Sequence, residues 1–136
     1  MKWKEVYFKQ IRSILEYAVP VWHSSLIGAD ISKLERIQKT VLHIVLGETY
    51  TSYRQALKMT GLQKLSERRR KLCSSFASKA QKHSKFSKWF KVNLKKSKTR
   101  QTQPKFCQVI RRTERFKKSP LSYLTDIVQL KLSWIL

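Results

Sequence analysis

The chain holds few of the residues from which catalytic centres and covalent frameworks are made. Acidic side chains number eight in 136 residues, and aspartate occurs twice, as Asp30 and Asp126. Two cysteines, Cys73 and Cys107, lie far apart without a CxxC or CxxH neighbour, which excludes a readable disulfide framework or zinc site. There is no 18-residue apolar run of the kind a transmembrane helix needs. The nearest candidate, Leu121 to Leu136, is short and interrupted by Asp126 and Lys131. The uncharged stretch Tyr17 to Ala29 contains Pro20 and His23 and has no convincing cleavage site. An intracellular protein, nuclear and/or cytoplasmic, is the expectation. Alternating strand patterns of useful length are missing too, so the expected fold is all-α, a small bundle of about four to five helices with a flexible basic linker.

What the chain has in excess is positive charge. Thirty Lys and Arg against eight Asp and Glu give a net charge of +22, and the distribution is uneven. Residues 1–63 carry nine basic and five acidic side chains, residues 64–118 carry twenty and two, and residues 119–136 one of each. A net charge of +18 over 55 residues repels itself unless an anion neutralises it. The expected partner is therefore nucleic acid: RNA, DNA or an RNA–DNA hybrid, bound without sequence specificity.

The apolar periodicity divides the chain into 1–92, a helical domain; 93–118, a basic flexible linker; and 119–136, a C-terminal amphipathic helix. Trp3, Tyr7, Ile11, Ile14 and Ala18 make one stripe of a first helix, which Pro20 should stop by pushing Val19 out of helical geometry. A turn or short helix over Val21 to Gly28 follows. Ser32-Lys33-Leu34-Glu35 has the form of a capping box, and Leu34, Ile37, Val41 and Ile44 continue an apolar face to Gly47, a natural stop, so the second long helix is expected from about Lys33 to Leu46. A short helix around Ser52 to Met59 ends near Gly61. In the third long helix Ser66 is a possible cap, with Leu65, Leu72, Phe76 and Ala80 near one face. The stretch Lys95 to Pro104 is rich in Lys, Ser, Thr and Gln and has no period. After Ser119-Pro120, Leu121, Leu124, Val128, Leu132 and Ile135 give the last helix. No internal repeat is evident.

The basic helix Lys64 to Lys82 is expected to lie along a phosphate backbone, where Lys and Arg reach successive phosphates and release counterions. Its candidate contacts are Lys64, Arg68, Arg69, Arg70, Lys71, Lys79 and Lys82. Downstream the set continues with Lys95, Lys96, Lys98, Arg100, Arg111, Arg112 and Arg115. Phe86, Trp89 and Phe90, interleaved with lysines, admit two readings: stacking on unpaired bases and packing onto the helical core. Packing is preferred, since no RNP or OB pattern accompanies them. No catalytic, cofactor-binding or metal site is expected. Trp22-His23 lacks converging ligands or a partnered nucleophile, Glu16 and Glu35 stand among arginines and suit salt bridges or helix caps, and Cys73 beside Leu72 and Phe76 suits burial.

Several words of the sequence go beyond composition. The run Ile11 to His23 contains Leu15-Glu16-Tyr17-Ala18-Val19-Pro20-Val21-Trp22-His23, followed by Leu34-Glu35-Arg36-Ile37-Gln38-Lys39. Later come Leu46-Gly47-Glu48-Thr49-Tyr50, Glu67-Arg68-Arg69-Arg70 and Thr113-Glu114-Arg115-Phe116-Lys117-Lys118-Ser119. In order and over the whole chain they resemble the tail downstream of the palm, in the thumb or connection region, of non-LTR, LINE-like retrotransposon reverse transcriptases. Leu15, Tyr17, Pro20, Trp22, His23, Leu34 and Ile37 carry the structural signature. The resemblance implies a parent that performs RNA-templated DNA synthesis primed at a nicked chromosomal target, with the tail gripping template and primer. Polymerisation in that family uses an aspartate pair in an aromatic-Ala-Asp-Asp turn to hold two metal ions, and this chain has no such pair. Met1 stands ten residues before the signature, from which we expect a non-catalytic fragment without endonuclease, fingers or palm. Its further partner would be the remainder of the polymerase, if translated in frame. Two rivals stand beside this expectation: a stand-alone basic helical RNA- or DNA-binding protein, and an amphipathic membrane-surface protein anchored by Leu121 to Leu136.

Overall fold

The computed structural model describes residues 2–90 and 111–133, with side chains described to residue 130. The fold is all-α, and no strand occurs among the described residues. Two compact units share the chain: Met1–Val19 with Leu26–Lys71, and Pro20–Ser25 with Leu72–Leu136.

The first unit opens with α1 (Lys2–Val6), a π-helical stretch Tyr7–Arg12 and α2 (Ser13–Glu16), continuous with one another. The π turn is wider than the α turn, so residues four apart stay in line. Tyr7 is buried, Trp3, Ile11 and Leu15 are partly buried, and Ile14 swings out to 75% exposure. The expected stripe is thereby corrected at Ile14. The break also falls earlier than expected. Tyr17 turns extended and Ala18 takes φ +48°, after which Pro20 is accommodated in the first turn of α3 (Val19–Trp22), where its missing N–H costs nothing. Val19 is thus helical, contrary to expectation.

Helix α4 spans Gly28–Leu46 and begins five residues before the expected Lys33. Ser32 is no cap. Its Oγ donates to the Gly28 carbonyl at 3.0 Å inside the helix, a back-bond that occupies the hydroxyl, and the N-cap is extended Ile27, without a side-chain bond. Gly47 ends the helix at φ +51°, its N–H donating to His43 O. The inward face is centred on Gln38 and Leu42, leaving Ile37 and Ile44 42% and 73% exposed. Polar Gln38 can sit inside because its Nε2 donates to Gln63 O at 3.1 Å.

The expected short helix is α5 (Tyr53–Thr60). Ser52 Oγ accepts from Gln55 N–H, and Gly61, left-handed at φ +69°, closes it. The core of this unit gathers Tyr7, Leu42, Ala56, Leu57 and Leu62, with Trp3, Ile11, Val41, Leu46, Tyr50 and Tyr53 around it. Beside it Trp3, Tyr7, Ile11 and Val41 line an apolar recess of about 290 Å³, rimmed by exposed Val6 and Ile44.

Helix α6 (Leu65–Lys82) contributes to both units. In the second unit a 3-10 turn, Ser87–Trp89, follows it. Within the expected linker, residues 93–110 lie outside the described residues, but Glu114–Lys117 form α7, capped by Thr113, whose Oγ1 accepts from Phe116 N–H. Helix α8 (Pro120–Ser133) begins on Pro120 as expected, with Ser122, Leu124, Thr125 and Val128 buried. Leu132 and Ile135 lie outside the described side chains. His23 meets the edge of Tyr123 with ring centroids 5.2 Å apart, and Ser24 Oγ donates to Lys118 O at 2.8 Å. Trp22 and Pro20 are half-buried, but Tyr17 is 79% exposed.

Candidate nucleic-acid interface

Two carboxylates fix the first turns of α6. Glu35 Oε1 accepts from Ser66 N–H at 2.7 Å, capping α6 from α4, and Glu35 Oε2 accepts from Tyr53 OH at 2.6 Å. Burial, then this bond to Glu35, holds the Tyr53 phenol well above the usual tyrosine range. Lys39 lies over the same ring, 5.3 Å from its centroid. Glu16 Oε1 accepts from Arg12 Nε at 2.6 Å and Arg68 Nε at 3.2 Å, while the Arg12 guanidinium also faces Phe8 at 4.9 Å. The arrangement makes Glu16 and Glu35 structural ties, as expected of them.

On α6 the buried ridge is Leu65, Arg69, Cys73, Ala77 and Ala80, with Leu72 and Phe76 half-buried beside it. The expected inward face, through Leu72 and Phe76, is displaced toward the small residues. Opposite this ridge, Lys64, Arg68, Lys71, Ser75, Lys79 and Lys82 recur at spacings of four, three, four, four and three, which places them on one face. All are exposed except Arg68, whose side chain retains 37% exposure. The 18-residue helix carries this stripe for roughly 27 Å.

The run Arg68 to Lys71 thus divides. Arg68 is tied to Glu16, and Lys71 is on the stripe with Nζ donating to Gln63 Oε1 at 2.9 Å. Arg70 is exposed but lies off the stripe. Arg69 is 1% exposed; its guanidinium faces the interior and cannot reach a phosphate, so it leaves the candidate set. Hydropathy alone hides such a residue, because the four-residue spacing from Leu65 to Cys73 passes through an arginine. In the second unit Arg112 and Arg115 are exposed, whereas Arg111 pairs with Asp126. Lys117 pairs with Glu114, which holds the Glu114 carboxyl below the usual range. Lys95, Lys96, Lys98 and Arg100 lie outside the described residues.

The aromatics interleaved with lysines gain a member that the sequence reading did not include, His83. His83, Phe86 and Trp89 form a contiguous column of rings after α6, flanked by exposed Lys82, Lys85 and Lys88. The available signal was a three-residue recurrence of lysine followed by a ring. Phe90 is buried, as core packing requires, but Trp89 is 41% exposed. Cys73 is fully buried, as expected. No group of three metal-ligating side chains occurs among the described residues, and no helix there is long and apolar enough to cross a membrane. No family model, curated protein or solved structure matches this chain.

Proposed function

We propose that this chain is a non-catalytic fragment from the C-terminal region of a retrotransposon RNA-directed DNA polymerase, and that it holds nucleic-acid backbone by electrostatics. The observation carrying the binding role is the opposition on α6 of a buried ridge and a basic stripe. The ridge anchors the helix, and the stripe presents Lys64, Lys71, Lys79 and Lys82 along one face, with Arg68 tied to Glu16 and Ser75 between them. Such contacts position a duplex or strand without reading its sequence. The parentage rests on the sequence resemblance. A positioning role rather than phosphoryl transfer fits the two aspartates as surface partners, Asp30 near Lys33 and Asp126 with Arg111. In this reading the exposed apolar recess between α1 and α4 is covered by the remainder of the polymerase when translated in frame, and the protein works where it meets nucleic acid, in nucleus or cytoplasm.

The test is equilibrium binding to labelled RNA, DNA and hybrid duplexes of one length as salt is raised. Four stripe lysines, at a slope of roughly −0.9 each, should cost about 150-fold in affinity between 50 and 200 mM salt. The variant K64Q/K71Q/K79Q/K82Q should lose most of that dependence. Salt-independent binding, or wild-type binding by the variant, would overturn the proposal.

A stand-alone basic protein remains the second reading, favoured by the buried core around Leu42 and Leu57. A cooperative melt without nucleic acid supports it over a fragment that orders only on binding. The membrane-surface reading loses ground because Leu124 and Val128, the apolar face it needs, are 2% and 3% exposed.

A further inference from the structure

Directly after α6 the chain reads Lys82-His83-Ser84-Lys85-Phe86-Ser87-Lys88-Trp89-Phe90. A lysine, then a ring, then a third residue occur three times over. A period of three belongs to neither an α-helix nor a strand. It is the period of 3-10 geometry, in which side chains at i and i+3 eclipse. The backbone adopts that geometry over Ser87–Trp89 and in the turn before it: Phe86 N–H donates to His83 O, Trp89 N–H to Phe86 O and Phe90 N–H to Ser87 O, each at 3.0 Å, while Ser87 N–H also closes an α-type turn on His83 O at 2.8 Å. The rings accordingly stand in a column. His83 and Phe86 have centroids 5.1 Å apart, and Phe86 and Trp89 4.8 Å, at interplanar angles of 43° and 54°. Lys82, Lys85 and Lys88 occupy the equivalent positions one residue earlier and are all exposed. Phe90, 4% exposed, anchors the turn, while Trp89 at the end of the column stays 41% exposed.

We propose that this column is a base-stacking platform for single-stranded nucleic acid. An unpaired base lies on Trp89, whose ring is backed by Phe86, and the flanking phosphates meet Lys85 and Lys88. The proposal rests on the nucleic-acid reading above and adds the strand state. In a duplex both faces of a base are covered by its neighbours, whereas an unpaired base offers a free face that stacks whatever its identity. Lysines alternating with the rings place charge where the backbone of a stacked strand passes. A solvated lysine surface would need no rings, and Trp89 keeps an open ring surface at the end of the column.

The experiment uses the full chain and three probes: a single-stranded oligonucleotide, the same backbone made fully abasic, and the duplex. Wild type should bind the intact strand more tightly than the abasic one. Trp89→Leu keeps apolar bulk but removes the stacking face, so it should lose roughly 5- to 150-fold on the intact strand, the worth of one stacked base, with abasic and duplex binding unchanged. Trp89→Phe should restore most of the loss. Circular dichroism melts of each variant check the fold. Equal wild-type affinity for intact and abasic strands overturns the platform while leaving electrostatic binding standing. So does a Trp89→Leu loss shared equally by all three probes. Absence of binding to any probe overturns both readings.

Discussion

Four consecutive cations, Arg68 to Lys71, occupy four different environments, so single substitutions along the run should produce separate phenotypes. Arg69 is 1% exposed on the buried ridge between Leu65 and Cys73. Arg69→Ala removes a long buried stem and leaves a cavity, a loss of about 2–5 kcal/mol by analogy with other large-to-alanine changes. For a chain of this size that lowers the melting temperature by roughly 10 °C or more. Lys71 is exposed on the stripe, and its bond to Gln63 is a surface contact. Lys71→Gln should therefore melt with the wild type yet bind duplex about 8-fold more weakly at 0.1 M salt, the effect of one phosphate contact, vanishing toward 1 M. Arg70→Gln, exposed but off the stripe, should change neither quantity much. Arg68→Gln breaks one of two arginine bonds to Glu16; half-exposed, that pair contributes at most about 1 kcal/mol. Melting followed at 222 nm and binding followed by fluorescence anisotropy across a salt series give both axes. The assignment of buried and exposed faces is refuted if Arg69→Ala melts with the wild type, or if Lys71→Gln loses as much stability as Arg69→Ala.

Two further outcomes follow from the ties beneath α6. Glu35→Ala removes the cap on Ser66 and the acceptor of Tyr53 OH, at about 2–4 kcal/mol in total. Tyr53→Phe should cost about 1–2 kcal/mol, and in urea unfolding the two should couple by at least ~0.5 kcal/mol; simple additivity would show that the bond does not stabilise the fold. Burial, opposed by nearby Arg12 and helped by Glu16 and Glu35, pushes the Tyr7 phenol up from 10.0 to about 12. Since the raised value belongs to the folded state, its stabilisation is complete below pH 10 and is lost as pH climbs to about 12, by at most about 3 kcal/mol. Wild type should therefore lose up to that much more than Tyr7→Phe over this window. At neutral pH the Phe variant should be no less stable, because the buried Tyr7 hydroxyl has no hydrogen-bond partner among the described residues. Parallel pH profiles for the two proteins would contradict this.

Much of the fold was legible because its punctuation is local. Ser52, Gly61 and Gly47 act on their own helix ends, and their residue types prefer the geometry found there. Where a residue had two possible partners, the pattern misled. Ser32 and Glu35 have capping-box spacing, yet Ser32 bonds back to Gly28 and Glu35 caps α6 through Ser66, 31 positions along the chain. Nothing in a four-residue window distinguishes these outcomes, since they depend on where α6 begins in space. The π turn is hidden for a related reason: Trp3, Tyr7, Ile11 and Leu15 fit its wider turn, but Ile14 fits the α turn equally well on hydropathy alone. The candidate site was legible in charge and obscure in direction. Counting cations found the block, and only burial showed that Arg69 points inward.

The distribution of carboxylates supports the proposal that the block takes its anion from outside the chain. Glu16 and Glu35 are committed to ties that set α6 in place, Glu114 and Asp126 pair with Lys117 and Arg111, and Glu5 and Asp30 lie near lysines of their own helices. Five of these six acids lie beside a cation and Glu35 holds two uncharged donors, whereas the chain has 22 more basic than acidic side chains. The surplus repels itself at the separation of one helical turn along α6, within the Debye length of about 8 Å at physiological salt. Small ions relieve this only by staying condensed near the surface. A polyanion relieves it while releasing the ions condensed on both partners, so the gain is largest where the cations stand in a row at helical spacing. The stripe from Lys64 to Lys82 meets that condition with its anchoring ridge on the opposite side, so a phosphate backbone can neutralise it without disturbing the buried residues that hold the helix.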